Sequence, residues 1–532
     1  MLDIQQRFKD LAEISLSLSA EHDRTRLLER IIEAAVRLTA ADGGTIYLLN
    51  PQAQLEIEVI INHSLGLYWA ANQQLGKRFA PIPLTDKQGK DNKGHLVATA
   101  VNRRASINIG NRSEPSNFDF SGVDQFDKAQ NYTTKSILSV PLLDHRGLPL
   151  GALQLINARS DSGNWEAFSS DAQLLAETFA SLAAVAINNH QLVSEQEQLF
   201  ESFIKVLASA VDEKSPHTGD HCRKVPELTI SLVNAIDSWQ EGELAQFKLS
   251  DNDRYELKIA AWLHDCGKVT TPEHVIDKGT KLETLHDRIS EVNQRFETLR
   301  RDLKIRYLEA QLGVNEESIA QAEQIYSDAL AQLESDRAFI NRANTGAEFF
   351  TVEDQQRVAD IAQRYSWTDV NGEKLPLLTA NEVYNLQISR GTLTDEERSI
   401  INRHIEVTID MLEALNLPQN LKNVPEIAGG HHERMDGKGY PKGLKRDELS
   451  VQTRAMGIAD IFEALTSSTR PYKVAKTLSE SLGIMQRMGR GGHIDPDIFE
   501  IFLRSGVFMD YAKEFLLPSQ IDEVVVEEYL IR

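Results

Sequence analysis

HHERMDGKGYP, residues 431–441, is the stretch on which the reading of this chain turns. Adjacent histidines are uncommon by chance, and the glycines of Asp436-Gly437-Lys438-Gly439-Tyr440-Pro441 mark a turn. A second stretch, AAWLHDCGK at 260–268, sets His264 and Asp265 at the end of an apolar helix. Imidazole and carboxylate together suit divalent ions such as Fe, Mn or Zn. Adjacent histidines on one helix diverge by ~100°, so two neighbouring metals take them more easily than one. A shared aspartate bridges such a pair with its two oxygens. Ions held ~3.5–4 Å apart in this way are suited to splitting phosphodiesters.

Further donors lie up and down the chain: His221 in HTGDHCRKV, His404 in INRHIEV and Asp460 in GIADIFEAL. Taken singly, each is an ordinary surface or core residue. Taken together with the two long motifs, they resemble the HD-GYP phosphodiesterases, a branch of the HD phosphohydrolases. Arg223-Lys224-Val225 after His221, the TDEER segment before His404, and Arg454 and Arg470-Pro471-Tyr472-Lys473 on either side of Asp460 carry the same resemblance. It covers about 200–280 and 390–510 and implies an all-α bundle. It also implies metal ligation by His221, His264, Asp265, His404, His431, His432 and Asp460, with Asp265 as the bridge. Lys268 would hold a substrate phosphate or assist proton transfer. Arg470 and Lys473 would clamp the other phosphate, and Tyr440 would stand in the substrate-binding loop. The implied reaction is hydrolysis of cyclic di-GMP to pGpG or GMP, with two or three divalent ions, Fe or Mn. Where some members carry a metal-binding glutamate four residues before the first histidine, this chain has His217. On a helix His217 and His221 would share a face, which makes His217 the candidate ligand for a third ion.

The first ~190 residues alternate helix and strand signals. ADGGTIYLL (41–49), SILSVPLLDHRGLPLGALQLINA (136–158) and AVAINNHQL (184–192) resemble a GAF domain, a small-ligand sensor built on a central antiparallel sheet. Gly43 and Gly44 read as punctuation before a strand at 45–49. The Asn-Lys…Phe…Asp-Glu pattern of cyclic-nucleotide-binding members reads here Asn157-Ala158…Phe168…Asp171-Ala172, so the Lys and the Glu are missing. The ligand, if any, is left open by the sequence.

Two further patterns connect these parts. Leu192, Leu199, Phe203, Val206 and Ala210 follow an imperfect heptad, interrupted at Gln196. This reads either as an amphipathic helix packed on its own domain or as a parallel helix joining two protomers. Leu282, Leu285, Ile289, Val292, Phe296, Leu299 and Leu303 keep a 3-4 spacing throughout. After a break at 312–315, Ile319, Ala322, Tyr326, Ala329, Leu333 and Ile340 resume it. Two such helices predict an inserted antiparallel hairpin, the first helix about 30 residues and ~45 Å long.

The expected architecture is therefore multidomain α+β. A GAF domain covers 1–190 and a coupling helix 191–212. The HD-GYP domain takes 213–281 and 389–515, interrupted by the hairpin at 282–388 and followed by a tail at 516–532. Composition agrees with a folded protein: 532 residues, 41% hydrophobic and 26% charged. No apolar run is long enough to span a bilayer, and no secretory signal is apparent. Two cysteines rule out a disulfide framework and suit the cytoplasm. The net charge of −22 disfavours nucleic-acid polymers as partners. Expected partners are a cyclic dinucleotide, a small GAF ligand and a second copy of the chain. The rival readings are a non-catalytic cyclic di-GMP receptor and a phosphohydrolase acting on another nucleotide.

Overall fold

A computed structural model describes residues 24–70, 80–114, 118–160, 162–214, 221–312, 316–346, 349–467 and 475–531. The chain divides into two compact units, Met1–Leu199 and Phe200–Arg532.

The first unit is built on an antiparallel sheet of order β3-β2-β1-β7-β6-β5. Its strands are β1 (Ala41–Leu49), β2 (Gln54–Asn62), β3 (Leu67–Ala70), β4 (Ile82–Pro83), β5 (Ile107–Ile109), β6 (Ile137–Leu143), β7 (Pro149–Arg159) and β8 (Trp165–Glu166). Alternation along the strands separates two cores. Ile46, Leu48, Leu138, Val140, Leu153 and Leu155 face helix α1 (Arg24–Leu38) and the first half of a helix α4 described below. Tyr47 and Ala152 point the other way, against α2 (Leu96–Arg103). A third short helix, α3, spans Ser121–Gln130. Strand β1 starts earlier than the glycines imply and runs straight through them. A Cβ on Gly43 would sit 2.7 Å from the Ile61 carbonyl, and one on Gly44 2.9 Å from Val36. The glycines are there for close packing inside the strand, not to end a loop.

Helix α4 runs unbroken from Ser170 to Glu213. Ala176, Ala180, Ala183, Ala184 and Ile187 enter the core of the first unit, and Ile204 enters that of the second. Its other face carries Val185, Leu192, Leu199, Phe203 and Val206, which are 52–72% exposed. The heptad positions therefore do not pack on the chain's own domains.

In the second unit, helices α5 (His221–Ser238), α6 (Asp251–Leu263), α12 (His404–Glu413), α13 (Val424–Gly429) and α14 (Val451–Thr466) surround one apolar core. They are joined by α15 (Leu478–Arg490), α16 (Pro496–Arg504) and α17 (Val507–Phe515). The segment expected to trail off as a tail is partly anchored: Leu530 is buried in this core. No helix among the described residues is long and apolar enough to cross a membrane.

Between α6 and α12 lies the inserted segment. Its helices α7 (Ile289–Ala310) and α8 (Glu316–Asn344) pack as a pair. The heptad sequence overstates the first of them. The helix has 22 residues, and Leu285 is almost fully exposed ahead of it. Residues 281–288 are occupied elsewhere: the Lys281 N–H donates to the Asn344 carbonyl (2.8 Å) and the Leu282 N–H to Asn344 Oδ1 (2.8 Å). The segment also continues past a hairpin. Helix α9 (Val352–Arg364), a two-stranded ribbon of β9 (Ser366–Thr368) and β10 (Lys374–Pro376), and α10 (Ala380–Leu386) share a core with the base of the pair. Val292, Phe296, Leu333, Ile340, Val358, Ile361 and Leu377 form it. Helix α11 (Asp395–Asn402), capped by Thr394 and Glu397, then leads directly into α12.

Candidate metal centre

The predicted donors that the structure describes reach the centre from helix starts, a helix interior, helix ends and turns. His264 follows the last turn of α6, and Asp265 opens a tight 3-10 turn, Cys266–Thr270. His221 opens α5 and His404 opens α12. His431 and His432 follow α13 in a turn. They are not on a helix, so they do not diverge as helical neighbours would. Their ring centroids lie 4.4 Å apart at 39°.

The donors gather in two groups, one of His221, His264 and Asp265 and one of His404, His431 and His432. Within each group the ligand atoms lie within 4.8 Å of one another. Asp265 faces both. Its Oδ2 is 3.2 Å from His221 Nε2 and 3.4 Å from His264 Nε2, and its Oδ1 is 3.3 Å from His404 Nε2. Asp460, on α14, places Oδ1 3.4 Å from His221 Nε2.

Hydrogen bonds fix the tautomers. The Nδ1–H of His264 donates to the Ala261 carbonyl (2.8 Å) and that of His431 to the Ala428 carbonyl (2.6 Å); that of His404 donates to the Ile401 carbonyl. His221 Nδ1 donates to Glu463 Oε2 at 2.6 Å. A carbonyl or carboxylate can only accept, so Nδ1 carries the proton; Nε2 of His264, His404 and His431 presents a lone pair inward, and that of His221 would do so once a cation displaced its second proton. His221 Nε2 and His264 Nε2 then face each other at 3.4 Å. Asp265 Oδ1, His404 Nε2 and His431 Nε2 are buried without hydrogen-bond partners. Lone pairs facing lone pairs in a buried site call for cations between them. The donor set of imidazole nitrogen and carboxylate oxygen suits first-row divalent metals.

The charges of the site agree. Burial pushes the His264 imidazole down to about 3. It also lowers His431 and His432, so these rings stay neutral and able to ligate. Burial opposes ionisation of Asp265, but Lys268 and the surrounding histidines outweigh it and hold the carboxyl well below the usual range. Lys268 Nζ donates to Asp265 Oδ2. Burial likewise opposes protonation of His221, and hydrogen bonds to Asp265, Asp460 and Glu463 outweigh it, raising that ring.

Tyr440 stacks on His432, centroids 4.8 Å apart and nearly parallel at 19°. Glu433 makes the loop hold that position. Its carboxylate accepts the backbone N–H groups of Lys442 (2.7 Å), Gly443 (3.1 Å) and Leu444 (2.9 Å). Gly439 is obligatory there, since an added Cβ would lie 2.4 Å from the Arg434 nitrogen. Glu433 and Glu463 escaped the sequence reading. Glu463 carried one signal, its place three residues beyond Asp460, on the same face of a helix. His217, Arg470 and Lys473 lie outside the described residues.

Two domain families match the chain, the GAF domain over residues 23–187 and the HD domain over 333–498. The HD match starts inside α8, within the inserted segment, and leaves out His221, His264 and Asp265. The chain is 32% identical over 167 residues to the 3'3'-cGAMP-specific phosphodiesterase 1 of Vibrio cholerae serotype O1, covering 29% of this chain and 38% of that protein. It is 36% identical over 137 residues to a probable cyclic di-GMP phosphodiesterase of the same organism, covering 25% of this chain and 31% of that one. It is 39% identical over 114 residues to a cyclic di-GMP phosphodiesterase of Thermotoga maritima, covering 21% of this chain and 30% of that one. The chain thus spans about a third of the length of these curated relatives. Motif, fold and domain matches agree on the order, a GAF-domain match at 23–187 ahead of an HD-domain match at 333–498.

Proposed function

We propose that this chain is a metal-dependent phosphodiesterase that hydrolyses cyclic di-GMP to pGpG, GMP or both. The observation that carries this reading is Asp265, whose two oxygens face two separate groups of inward lone pairs. In this reading His221, His264 and Asp460 would hold one divalent ion and His404, His431 and His432 the other, with Asp265 shared between them. Iron or manganese is the metal the family resemblance implies. Two such ions supply Lewis-acid stabilisation of both oxygens in an in-line displacement at phosphorus, and they activate water. Lys268 keeps the bridging carboxylate ionised and offers its remaining donors to a substrate phosphate. Tyr440, held flat on His432, gives a base or sugar a surface to stack against. Arg470 and Lys473 are proposed as the clamp on the second phosphate, and His217 as ligand of a third ion.

The names of the relatives support a cyclic dinucleotide as substrate, and they divide between cyclic di-GMP and 3'3'-cGAMP. We assign residues 213–281 and 389–515 to catalysis, 1–190 to a regulatory GAF domain with its own small ligand, and 282–388 to an insertion. Cytoplasmic residence is supported by two buried, unpaired cysteines, Cys222 and Cys266. A homodimer formed along α4 is supported by its exposed heptad face.

The test is metal content by elemental analysis together with hydrolysis of both dinucleotides by the same sample. At least two ions per chain and release of pGpG or GMP are expected. Asp265→Asn should cut turnover more than about a hundredfold, since even outer-shell partners of a metal cost about 10–100-fold. Bound metal with turnover of 3'3'-cGAMP alone would replace the substrate. A folded protein that binds cyclic di-GMP without metal or turnover would make it a receptor.

A further inference from the structure

Four imidazoles in the centre are oriented through Nδ1, and one of them differs from the rest. His264, His404 and His431 each donate to a carbonyl three residues back in the chain. His221 donates to the carboxylate of Glu463, 242 residues away. Glu463 is only 3% exposed and stands three residues after Asp460 on α14. One helix face therefore grips one ring from both sides, Asp460 Oδ1 at 3.4 Å from Nε2 and Glu463 Oε2 at 2.6 Å from Nδ1.

The chemical consequence falls on the ligating nitrogen. A carboxylate draws on the Nδ1 proton more strongly than a carbonyl does. Electron density moves through the ring to Nε2, which becomes the more basic ligand. His404 and His431 have carbonyls only, and His432 has the Tyr440 ring against its face. The two halves of the centre are therefore unequal by construction.

We propose that Glu463 is a positioning residue that makes the half formed by His221, His264 and Asp265 the tighter metal site, filled before the half formed by His404, His431 and His432. This rests on the reading of the cluster as a metal centre. Filling would then be ordered, with the half that includes His221 and His264 loaded before the half that includes His404, His431 and His432. At low metal the enzyme is half-loaded and waits for the second ion.

Manganese alone is the probe. The full chain, stripped of metal, is titrated with Mn²⁺ while free ion is followed by electron paramagnetic resonance. Two resolved steps are expected. Glu463→Gln retains an acceptor oxygen but loses the charge, and should weaken the first step about 10-fold or more while leaving the second unchanged. His404→Ala should abolish the second step and spare the first, which tests the order without touching Glu463 should the Gln variant fail to fold. An unchanged first step in Glu463→Gln overturns the proposal. So does loss of the tight step in His404→Ala, or two equal steps in the unaltered chain. An unaltered chain that takes up no manganese overturns the metal reading itself, and the proposal with it.

Discussion

Asp265 serves both halves of the centre and takes the Lys268 ammonium as its counter-charge. Around it, buried rings are kept neutral by the cost of charging them away from water. That arrangement has a cost for the metal-free protein on acidification. His264, His431 and His432 titrate below the ~6.5 of an unfolded histidine. As pH falls through about 6.5 the unfolded chain gains protons that the folded chain refuses, so stability falls. His221, raised by its carboxylates, works in the opposite sense and offsets part of the loss. The depressed carboxyls of Asp265 and Asp460 add their loss only below about 4. Urea unfolding of the metal-free protein should therefore show stability reduced by on the order of 1–3 kcal/mol between pH 7 and pH 5.5. Equal or greater stability at pH 5.5 would mean that these rings are not held neutral by burial.

The inserted segment is tied at its base by two buried lysines. Lys278 Nζ donates to Asn385 Oδ1 (3.0 Å) and to both oxygens of Glu397 (2.9 and 2.8 Å), the residue that caps α11. Lys281 Nζ donates to the carbonyls of Leu386 (3.0 Å) and Ile388 (2.8 Å) and lies 3.8 Å over the Phe350 ring. Burial lowers its ammonium to about 8. The chain thus leaves and returns within the reach of one side chain, and the segment between has a core of its own. Removal of residues 283–388 with a short glycine-serine link should leave the helices of the second unit folded and able to take up metal. Metal analysis and circular dichroism of that variant check it; a folded product with no bound metal would show that the insertion helps build the centre. Two heptads in sequence reveal a helix pair because their periodicity is local. The added helix α9, the β9–β10 ribbon and α10 have no such long period, and their packing is set by contacts between segments far apart in the chain.

Among the described residues, helix α4 contributes to the cores of both units. Its free face carries Val185, Leu192, Leu199, Phe203 and Val206, with the polar Asn189 and Gln196 at intervening positions. A parallel pairing of two such helices would bring identical residues together, and polar residues at such seam positions select register. Leu192→Glu combined with Leu199→Glu should convert a dimer to a monomer by light scattering, with secondary structure retained because both side chains face solvent within one chain. A protein that is monomeric before substitution would leave α4 a purely internal connector.

Much of this molecule was legible one segment at a time. The helix and strand order follows from periodicities of 3.6 and 2. Rare local motifs pick out His264, Asp265, His431 and His432 as donors, and strand runs mark the sheet of the first unit. The glycines of β1 misled because close approach to Ile61 and Val36 leaves no local trace. What the amino-acid order determined, then, was which elements form and which donors exist. Tertiary structure alone decided that Asp265 faces both groups of donors and that Glu463 stands behind His221, whereas the Nδ1 bonds of His264, His404 and His431 and the grip of Glu433 on the Tyr440 loop are made within short stretches of chain. The contacts of Asp265 and Glu463 join residues far apart in the chain, and a short-range pattern carries no information about them.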